Sequence, residues 1–150
     1  MSTDQSQTRA KPPQIPSDMK AFNRQLIEDF RRTNGQMSGQ MAGRKLLLLT
    51  TKGAKSGQEK TVVLGYGKPA DNQYVVIASN NGAVSHPFWY RNLLKNPQAT
   101  VEVGAEKFSA TARTASAEEH RRYSPLVPYI DSQQKLTDRQ IPIVVLERQR

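Results

Sequence analysis

Hydrophobic and polar residues follow two different periods along this chain. Over residues 17–33, apolar residues recur at helical spacing on one face, and Asn34-Gly35 supplies a stop signal, so an amphipathic helix is predicted there. Six shorter segments are continuous apolar runs or alternate strictly, which is typical of β-strands. They are KLLLLTT (45–51), KTVVLGY (60–66), YVVIAS (74–79), ATVEV (99–103), KFSATAR (107–113) and IPIVVLE (141–147).

Two further segments carry the boundary signals of helices. The segment PFWYRNLLKN (87–96) begins with proline, which is favoured in a first helical turn, and Pro97 follows its end. The segment SAEE (116–119) is a capping box, which predicts a helix that ends before Pro125. The connections between strands are mostly too short for helical crossovers. Six strands and three helices therefore predict a mainly β fold, with an antiparallel sheet closed into a small barrel.

Length and composition bound the number of domains and the compartment. A chain of 150 residues suits one domain, which we expect to span 17–150. Residues 1–16 are rich in proline and nearly devoid of apolar residues, so we expect a disordered tail there. That start lacks the apolar stretch of a signal peptide, and no run approaches the roughly 20 apolar residues of a membrane span. We therefore expect a cytoplasmic protein.

The residues that most often bind metals are scarce. The chain has no cysteine and only two histidines, His86 and His120, without a metal-binding spacing around either. We expect no metal site. The G-x-S-x-G signature of serine hydrolases is absent as well.

The net charge of +9 points to an anionic partner. Nucleic acid, a membrane surface and a phosphorylated small molecule all remain open on charge alone. Basic residues also decorate the first predicted helix, which either packs on the core as an ordinary amphipathic helix or touches anionic lipid.

Polar residues concentrate in three segments where predicted strands end or a helix begins. These segments are the glycine- and lysine-containing turn TTKGAKSGQEKT (50–61), ASNNG (78–82) and SHPFWYRN (85–92). Glycine-rich turns and helix starts both present backbone N–H groups, and lysines add positive charge. Three neighbouring aromatic residues at the helix start can stack on a flat ring. Together the segments describe a phosphate or oxyanion site beside an aromatic shelf.

The same segments, with TDRQIPIVVLE (137–147), closely resemble the deazaflavin-dependent nitroreductase family of split-β-barrel oxidoreductases. The resemblance covers about residues 43–146. It implies an FMN-binding-like split barrel, coenzyme F420 as cofactor, and hydride transfer from the reduced deazaflavin to an activated acceptor. Quinones, nitroaromatics and α,β-unsaturated carbonyls are the acceptors that it implies.

The resemblance also implies roles for particular residues. The turn with Lys60 is expected to grip the cofactor's phosphate and acidic tail, and the other segments to line the deazaflavin. Ser79 and Tyr129 are the candidates for polarising the acceptor. The implied cofactor-binding residues are Ala54, Lys55, Ser56, Gly57, Lys60, Thr61, Val62, Val63, Leu64, Ile77, Ala78, Ser79, Asn80, Phe88, Trp89, Tyr90, Arg91 and Asn92. The family usually has arginine where this chain has Ala54, and often a basic residue at Asn80.

Two other functions fit parts of the pattern. An FMN-binding member of the same fold would use the flavin in place of F420. A basic nucleic-acid-binding barrel would use the charge and the aromatic residues, although the basic residues cluster at strand ends and not along a sheet face. The F420 reading predicts a small-molecule electron acceptor and, as indirect partner, an F420-reducing dehydrogenase. It allows contact of the first helix with the inner face of the membrane and expects no nucleic acid.

Overall fold

A computed structural model describes residues 19–39, 42–80 and 85–149. The tail expected at 1–16 and Ser17, a potential cap of the first helix, lie outside the described residues. The helix itself, α1, spans Met19–Thr33. It ends as predicted, because Asn34 and Gly35 both take positive φ and the Gly35 N–H donates to Phe30 O at 2.8 Å.

The described residues form one seven-stranded sheet in which every strand pair is antiparallel. Its spatial order is β2-β1-β5-β6-β7-β4-β3. The strands are β1 Leu46–Lys52, β2 Glu59–Gly65, β3 Gly67–Ala70, β4 Gln73–Ile77, β5 Gln98–Val103, β6 Glu106–Thr114 and β7 Ile143–Arg148. The mainly β, antiparallel prediction is confirmed. The structure adds a seventh strand to the roughly six expected. This strand, β3, was not predicted, because it lies in a segment whose proline and glycine residues are typical of a turn.

The sheet closes on itself at Tyr66. The strands β2 and β3 form opposite edges of the sheet, yet only this residue separates them along the chain. A flat seven-stranded sheet would hold its edges roughly 29 Å apart. Two consecutive Cα–Cα steps span at most roughly 7 Å. The sheet must therefore curl until its edges meet, which gives the split-barrel form that the sequence predicts.

Two hydrophobic clusters lie on opposite faces of β4 and β7. Tyr74 and Val76 of β4 pack into the main cluster, which fills the barrel. Val75 and Ile77 pack into a second cluster with residues of the segment that follows β6. Both faces of these strands are therefore buried. That is why their sequences read as continuous apolar runs and not as alternating ones.

The remaining helices cover the barrel. They are α2 Phe88–Lys95, α3 Ala117–Tyr123, a 3-10 helix Ser124–Leu126 and α4 Ile130–Gln134. The capping box at Ser116 is confirmed, whereas α4 was not predicted. Pro142 immediately precedes β7, which lies inside the sheet between β6 and β4.

Candidate functional site

The turn between β1 and β2 holds its shape with its own backbone and one serine. Gly53 N donates to Gln58 O at 2.8 Å, and Gly57 N donates to Gly53 O at 3.0 Å. Gln58 N donates to Ser56 Oγ at 3.1 Å. Gly57 has φ 72°, in the left-handed region that glycine adopts without strain.

Several donors of this turn are left over. The backbone N–H groups of Lys55 and Ser56 donate to no acceptor among the described residues, and neither does the Lys55 ammonium group. The side chains of Lys55 and Ser56 are exposed. A tight turn with unengaged N–H groups and a lysine has the donors that an anion requires.

Asn92 fastens the turn to α2. Its side-chain oxygen accepts from Ala54 N at 2.9 Å, and its side-chain nitrogen donates to Thr51 Oγ1 at 3.0 Å. Asn92 is only 6% exposed. The Asn92 side-chain amide therefore fixes the position of the turn relative to α2. The Ala54 N–H is already bound to Asn92, so it is not among the donors available to a ligand.

A groove of about 660 Å³ lies between α1, the start of β2 and the start of α2. Four of its lining residues belong to the set implied by the resemblance, and five come from α1. The lining residues are Asn23, Arg24, Ile27, Glu28, Arg31, Lys60, Thr61, Val62 and Phe88. The groove thus combines three cationic side chains and one carboxylate with apolar surface.

The contribution of α1 to this groove was not predicted. Arg31 donates through Nε and Nη2 to both carboxylate oxygens of Glu102, at 3.0 and 2.8 Å, which ties α1 to the sheet. Glu102 is buried on β5. Arg24 and Arg31 lie seven residues apart with Ile27 between them, so they share one face of the helix. That spacing was the available signal, but it does not tell which part of the barrel the face meets.

The three neighbouring aromatic residues of α2 do not form one wall. Phe88 is 42% exposed and lines the groove. Trp89 and Tyr90 are 4% and 6% exposed and belong to the main core cluster. This corrects the expected aromatic shelf. Consecutive residues of a helix point about 100° apart, so they cannot all face the same ligand.

The β2 residues Thr61 to Leu64 differ in what they face. The Thr61 hydroxyl is 2.6 Å from the hydroxyl of Thr50, its cross-strand neighbour. Val62 and Leu64 pack against the main core cluster, and Val63 is half-buried. Arg91, on α2, is exposed.

The end of β4 is held by Arg139. Its Nη1 and Nη2 both lie 3.2 Å from Ala78 O, and Nη2 donates to Ser79 O at 2.6 Å. Ala78 is buried and Ser79 half-buried, while Ile77 packs in the second cluster. Asn80 is exposed with φ 51°, and its side chain donates to Ser85 O at 3.1 Å. Sequence reasoning missed Arg139, because a contact across sixty residues has no local signal.

The two histidines are both engaged by the protein. His86 Nδ1 is 2.9 Å from Arg139 Nη1, and its ring packs edge-on against Tyr90. Burial, with Arg139 and Arg91 nearby, lowers the pKa of His86. His120 is half-buried, and its Nε2 is 2.9 Å from Ile141 O.

Tyr129 lies against the far end of β2. A Cβ added to Gly65 would come within 2.9 Å of the Tyr129 hydroxyl, so the glycine makes room for this side chain. The residue is 40% exposed in total, but burial raises the pKa of Tyr129 to about 12. The phenol therefore keeps its proton at neutral pH. Gly65 is roughly 10 Å along the strand from the part of β2 that lines the groove.

The donor set of the groove and turn fits coenzyme F420. Arg24, Lys60 and the unengaged turn donors suit a phosphate and carboxylates, while Ile27, Val62 and Phe88 suit a ring system. Within the described residues, no three His, Cys, Asp or Glu side chains lie close enough to hold a metal ion. No helix among the described residues is both long enough and apolar enough to cross a membrane.

Comparison with known proteins identifies the family. The F420H(2)-dependent quinone reductase family matches residues 22–148. An F420H(2)-dependent quinone reductase from Mycobacterium tuberculosis is 34% identical over 128 residues, which cover 79% of this chain and 85% of the relative.

Two solved structures are also similar. One, described as a domain-swapped dimer, has a TM-score of 0.64 and 31% identity, with coverage of 83% of this chain and 93% of that one. The other, the F420-H2 dependent reductase FDR-A, has a TM-score of 0.63 and 35% identity, with coverage of 69% and 95%. The chain therefore belongs to the F420H(2)-dependent quinone reductase family, as an oxidoreductase whose cofactor is coenzyme F420.

Proposed function

We propose that this protein reduces a quinone-type acceptor with F420H2 bound in the groove between α1, β2 and α2. The observation that carries the proposal is the lining of that groove, where cations from two elements meet apolar side chains beside the lysine turn. When bound, reduced F420 supplies a hydride to the acceptor. Binding and orientation are then the work of the protein.

The anionic part of the cofactor is bound by the turn and the cations beside it. Lys55 and the N–H groups of Lys55 and Ser56 are the donors that the turn leaves unengaged. Lys60 follows on the strand, and Arg24 faces the same groove from α1. Asn92 and Gly57 act indirectly, because they set the shape and position of the turn.

The ring system of the cofactor lies along the start of β2. Thr61 and Val62 offer backbone and side-chain contacts there, and Phe88 offers an exposed aromatic face. Hydride transfer needs close approach and correct orientation, so this site requires no acid/base pair. A rigid strand on one side and a helix on the other provide that orientation.

Tyr129 polarises the acceptor in this proposal, with Ser79 as the second candidate. A pKa of about 12 keeps the Tyr129 hydroxyl protonated at neutral pH, so it can donate a hydrogen bond to an acceptor oxygen. Solvent supplies the proton that completes the reduced product. We expect Tyr129→Phe to lower kcat about tenfold and to leave the F420 Kd unchanged. A shift in the F420 Kd with unchanged kcat would assign Tyr129 to cofactor binding.

The finer assignments follow from the same site. Nitroaromatics and α,β-unsaturated carbonyls are further acceptors, since they too accept a hydride when polarised. An F420-reducing dehydrogenase is the indirect partner that regenerates the cofactor. The protein works in the cytoplasm. The exposed Phe22 and the basic residues of α1 allow peripheral contact with anionic lipid at the inner membrane face.

A cofactor screen tests the proposal directly. Purified protein is titrated against F420, FMN and FAD, with cofactor fluorescence as the readout. We expect F420 to bind with micromolar or tighter affinity. Binding of FMN without F420 would contradict the proposal and assign the chain to flavin chemistry.

A matched pair of arginine variants locates the site. Arg24 lines the groove, whereas Arg32 is bonded to Asp29 and is not among the lining residues. We expect Arg24→Gln to weaken F420 binding about five- to tenfold and Arg32→Gln to leave it within twofold, although both remove one positive charge. Equal losses in the two variants would mean that general charge attraction, and not the groove, determines affinity.

A further inference from the structure

The guanidinium group of Arg139 contacts at least three separate acceptors. Two are the consecutive carbonyl oxygens of Ala78 and Ser79 at the end of β4, and the third is His86 Nδ1 just before α2. Successive carbonyls of an extended strand point in opposite directions. Two of them within reach of one side chain show that the chain bends away from strand geometry there. Asn80, with its positive φ, continues that bend.

The chemistry of arginine fixes the protonation state of His86. A guanidinium group carries only donors, so an atom that it contacts at 2.9 Å must accept. His86 Nδ1 is therefore unprotonated, and the ring is the neutral tautomer with its hydrogen on Nε2. A protonated imidazole has no acceptor left, so the contact with Arg139 cannot survive protonation.

We infer that Arg139 is a positioning residue for the F420 site, and that it performs this role only while His86 is neutral. The bond from Arg139 to His86 joins the end of β4, which carries Ser79 and Asn80, to the start of α2, which carries Phe88. The inference rests on the proposed function, since it takes these segments as parts of the cofactor site. It adds Arg139 to the residues on which cofactor binding depends, and it adds a dependence of that binding on pH.

Two positively charged groups among the described residues oppose the protonation of His86. Arg139 faces it from the segment before β7, and Arg91 faces it from α2. Tyr90, also on α2, contacts it through the aromatic ring. Together with burial, the two arginines lower the pKa of His86, so the neutral form dominates at pH 7. On acidification, the new positive charge would repel both arginines and release the two segments.

The sign of the pH dependence follows from that lowered pKa. The unfolded chain holds a proton on His86 with a pKa near the ordinary value of about 6.5, and the folded chain holds it less tightly. The contact between Arg139 and His86 therefore contributes its full stability above about pH 6.5. That contribution is lost as the pH falls through the pKa of His86 in the folded protein. F420 affinity is expected to fall over the same range.

Variants of both partners test the inference. We expect Arg139→Gln to weaken F420 binding about tenfold or more. Arg139→Lys should fall between it and the wild type, because lysine keeps the charge but its single nitrogen cannot reproduce the planar spacing of the two Nη donors. His86→Asn keeps an acceptor near the position of Nδ1 but cannot gain a proton. Its F420 affinity should match the wild type at pH 8 and exceed it several-fold at pH 5.

The control is the second histidine of the chain. His120→Gln keeps a donor toward Ile141 O, and it should retain the wild-type pH profile. Titration of the cofactor itself is common to all variants, so the difference between wild type and His86→Asn isolates His86. Circular dichroism and Tm at each pH confirm that every variant is folded.

The outcomes separate the inference from the proposed function. Unchanged F420 affinity in Arg139→Gln, or parallel pH profiles for wild type and His86→Asn, would overturn the inference while F420 binding stands. If the wild type binds no F420, the proposed function fails, and the positioning role falls with it. An NMR titration then still tests the contact, since His86 should titrate below 6.5 in the wild type and move upward in Arg139→Gln.

Discussion

Two polar segments at strand ends look alike in sequence and differ in structure. The turn at residues 53–58 and the end of β4 at 78–80 both combine small residues with hydrogen-bonding side chains. In the turn, the N–H groups of Lys55 and Ser56 and the lysine ammonium group are unengaged within the described residues. At the end of β4, the carbonyls of Ala78 and Ser79 are both held by Arg139.

The turn has hydrogen-bond donors available for a ligand, whereas the backbone at the end of β4 is bound by another part of the protein. Unengaged donors on a well-fixed turn are available to an anion without first breaking a protein contact. Carbonyls bound by the half-buried Arg139 side chain hold the backbone in place, and their hydrogen bonds are made within the protein. Polar composition alone does not distinguish these cases, because the deciding partners, Asn92 and Arg139, come from distant parts of the chain.

Of the variants that test this comparison, removal of the Asn92 amide should have the largest effect, both on the free energy of unfolding and on F420 binding. Asn92→Leu would leave the buried Thr51 hydroxyl and the part-buried Ala54 N–H without their partner. We expect it to lower the free energy of unfolding by about 2–4 kcal/mol, measured by urea denaturation. It should weaken F420 binding as well, because the turn loses its attachment to α2.

Asn96→Leu is the matched control for that variant. Asn96 lies at the other end of α2, is only half-buried, and accepts from Gln98 N at 3.2 Å in an exposed place. We expect a loss below about 1 kcal/mol there. Equal losses in the two variants would show that the turn does not depend on Asn92.

Lys55→Ala should separate binding from stability. Lys55 is exposed, so its loss should change the free energy of unfolding by less than about 0.5 kcal/mol. We expect F420 affinity to fall about tenfold, since a charge-assisted hydrogen bond is lost. Affinity for the deazaflavin nucleoside, which lacks phosphate and glutamates, should stay the same.

Lys107→Ala is the control for that experiment. Lys107 is an exposed lysine on β6 and does not line the groove, so its removal lowers the net charge equally. An equal loss of F420 affinity in both variants, or a loss for the nucleoside, would refute the phosphate role of Lys55.

The smallest expected effects concern the backbone of the two segments. Gly57 and Asn80 both have positive φ, at 72° and 51°. A Cβ on Gly57 would meet nothing within 4 Å, so Gly57→Ala should cost only the backbone strain, about 1 kcal/mol. Asn80 already carries a Cβ, so Asn80→Ala should cost mainly the exposed bond to Ser85 O, which is below about 1 kcal/mol. Thermal unfolding of both variants measures the two losses, and an unchanged Tm in Asn80→Ala would show that this bond contributes nothing.

Local signals predicted much of the fold. Strand and helix positions follow from side-chain period and from caps such as Ser116 and Gly35, which act within a few residues. The strand β3 was missed, because Pro69 and Gly67 resemble a turn and the pairing partner that makes them a strand lies on β4.

The candidate site was less accessible to sequence reasoning. The turn and the start of β2 could be suggested by their composition and by family resemblance. The groove depends on where α1 packs, and the role of Arg139 depends on a bond to the end of β4. The orientation of Trp89 and Tyr90 was wrong because the sequence places aromatic residues side by side, whereas the helix turns them toward the core.

The closure at Tyr66 has a consequence for folding kinetics. The hairpins β1–β2 and β3–β4 need only local contacts, but the pairs β1–β5 and β4–β7 join residues about 50 to 70 positions apart. The two hairpins flank Tyr66, so their mutual orientation becomes fixed only after those distant pairs have formed. We expect the Tyr66 N–H, which donates to Lys45 O at the end of the β1–β2 hairpin, to gain protection from hydrogen exchange early in refolding. The Ala78 N–H, which donates to Pro142 O beside the β4–β7 pair, should gain protection later. The edge strands β2 and β3, which follow each other in sequence, would then be among the last parts of the molecule to be fixed relative to one another.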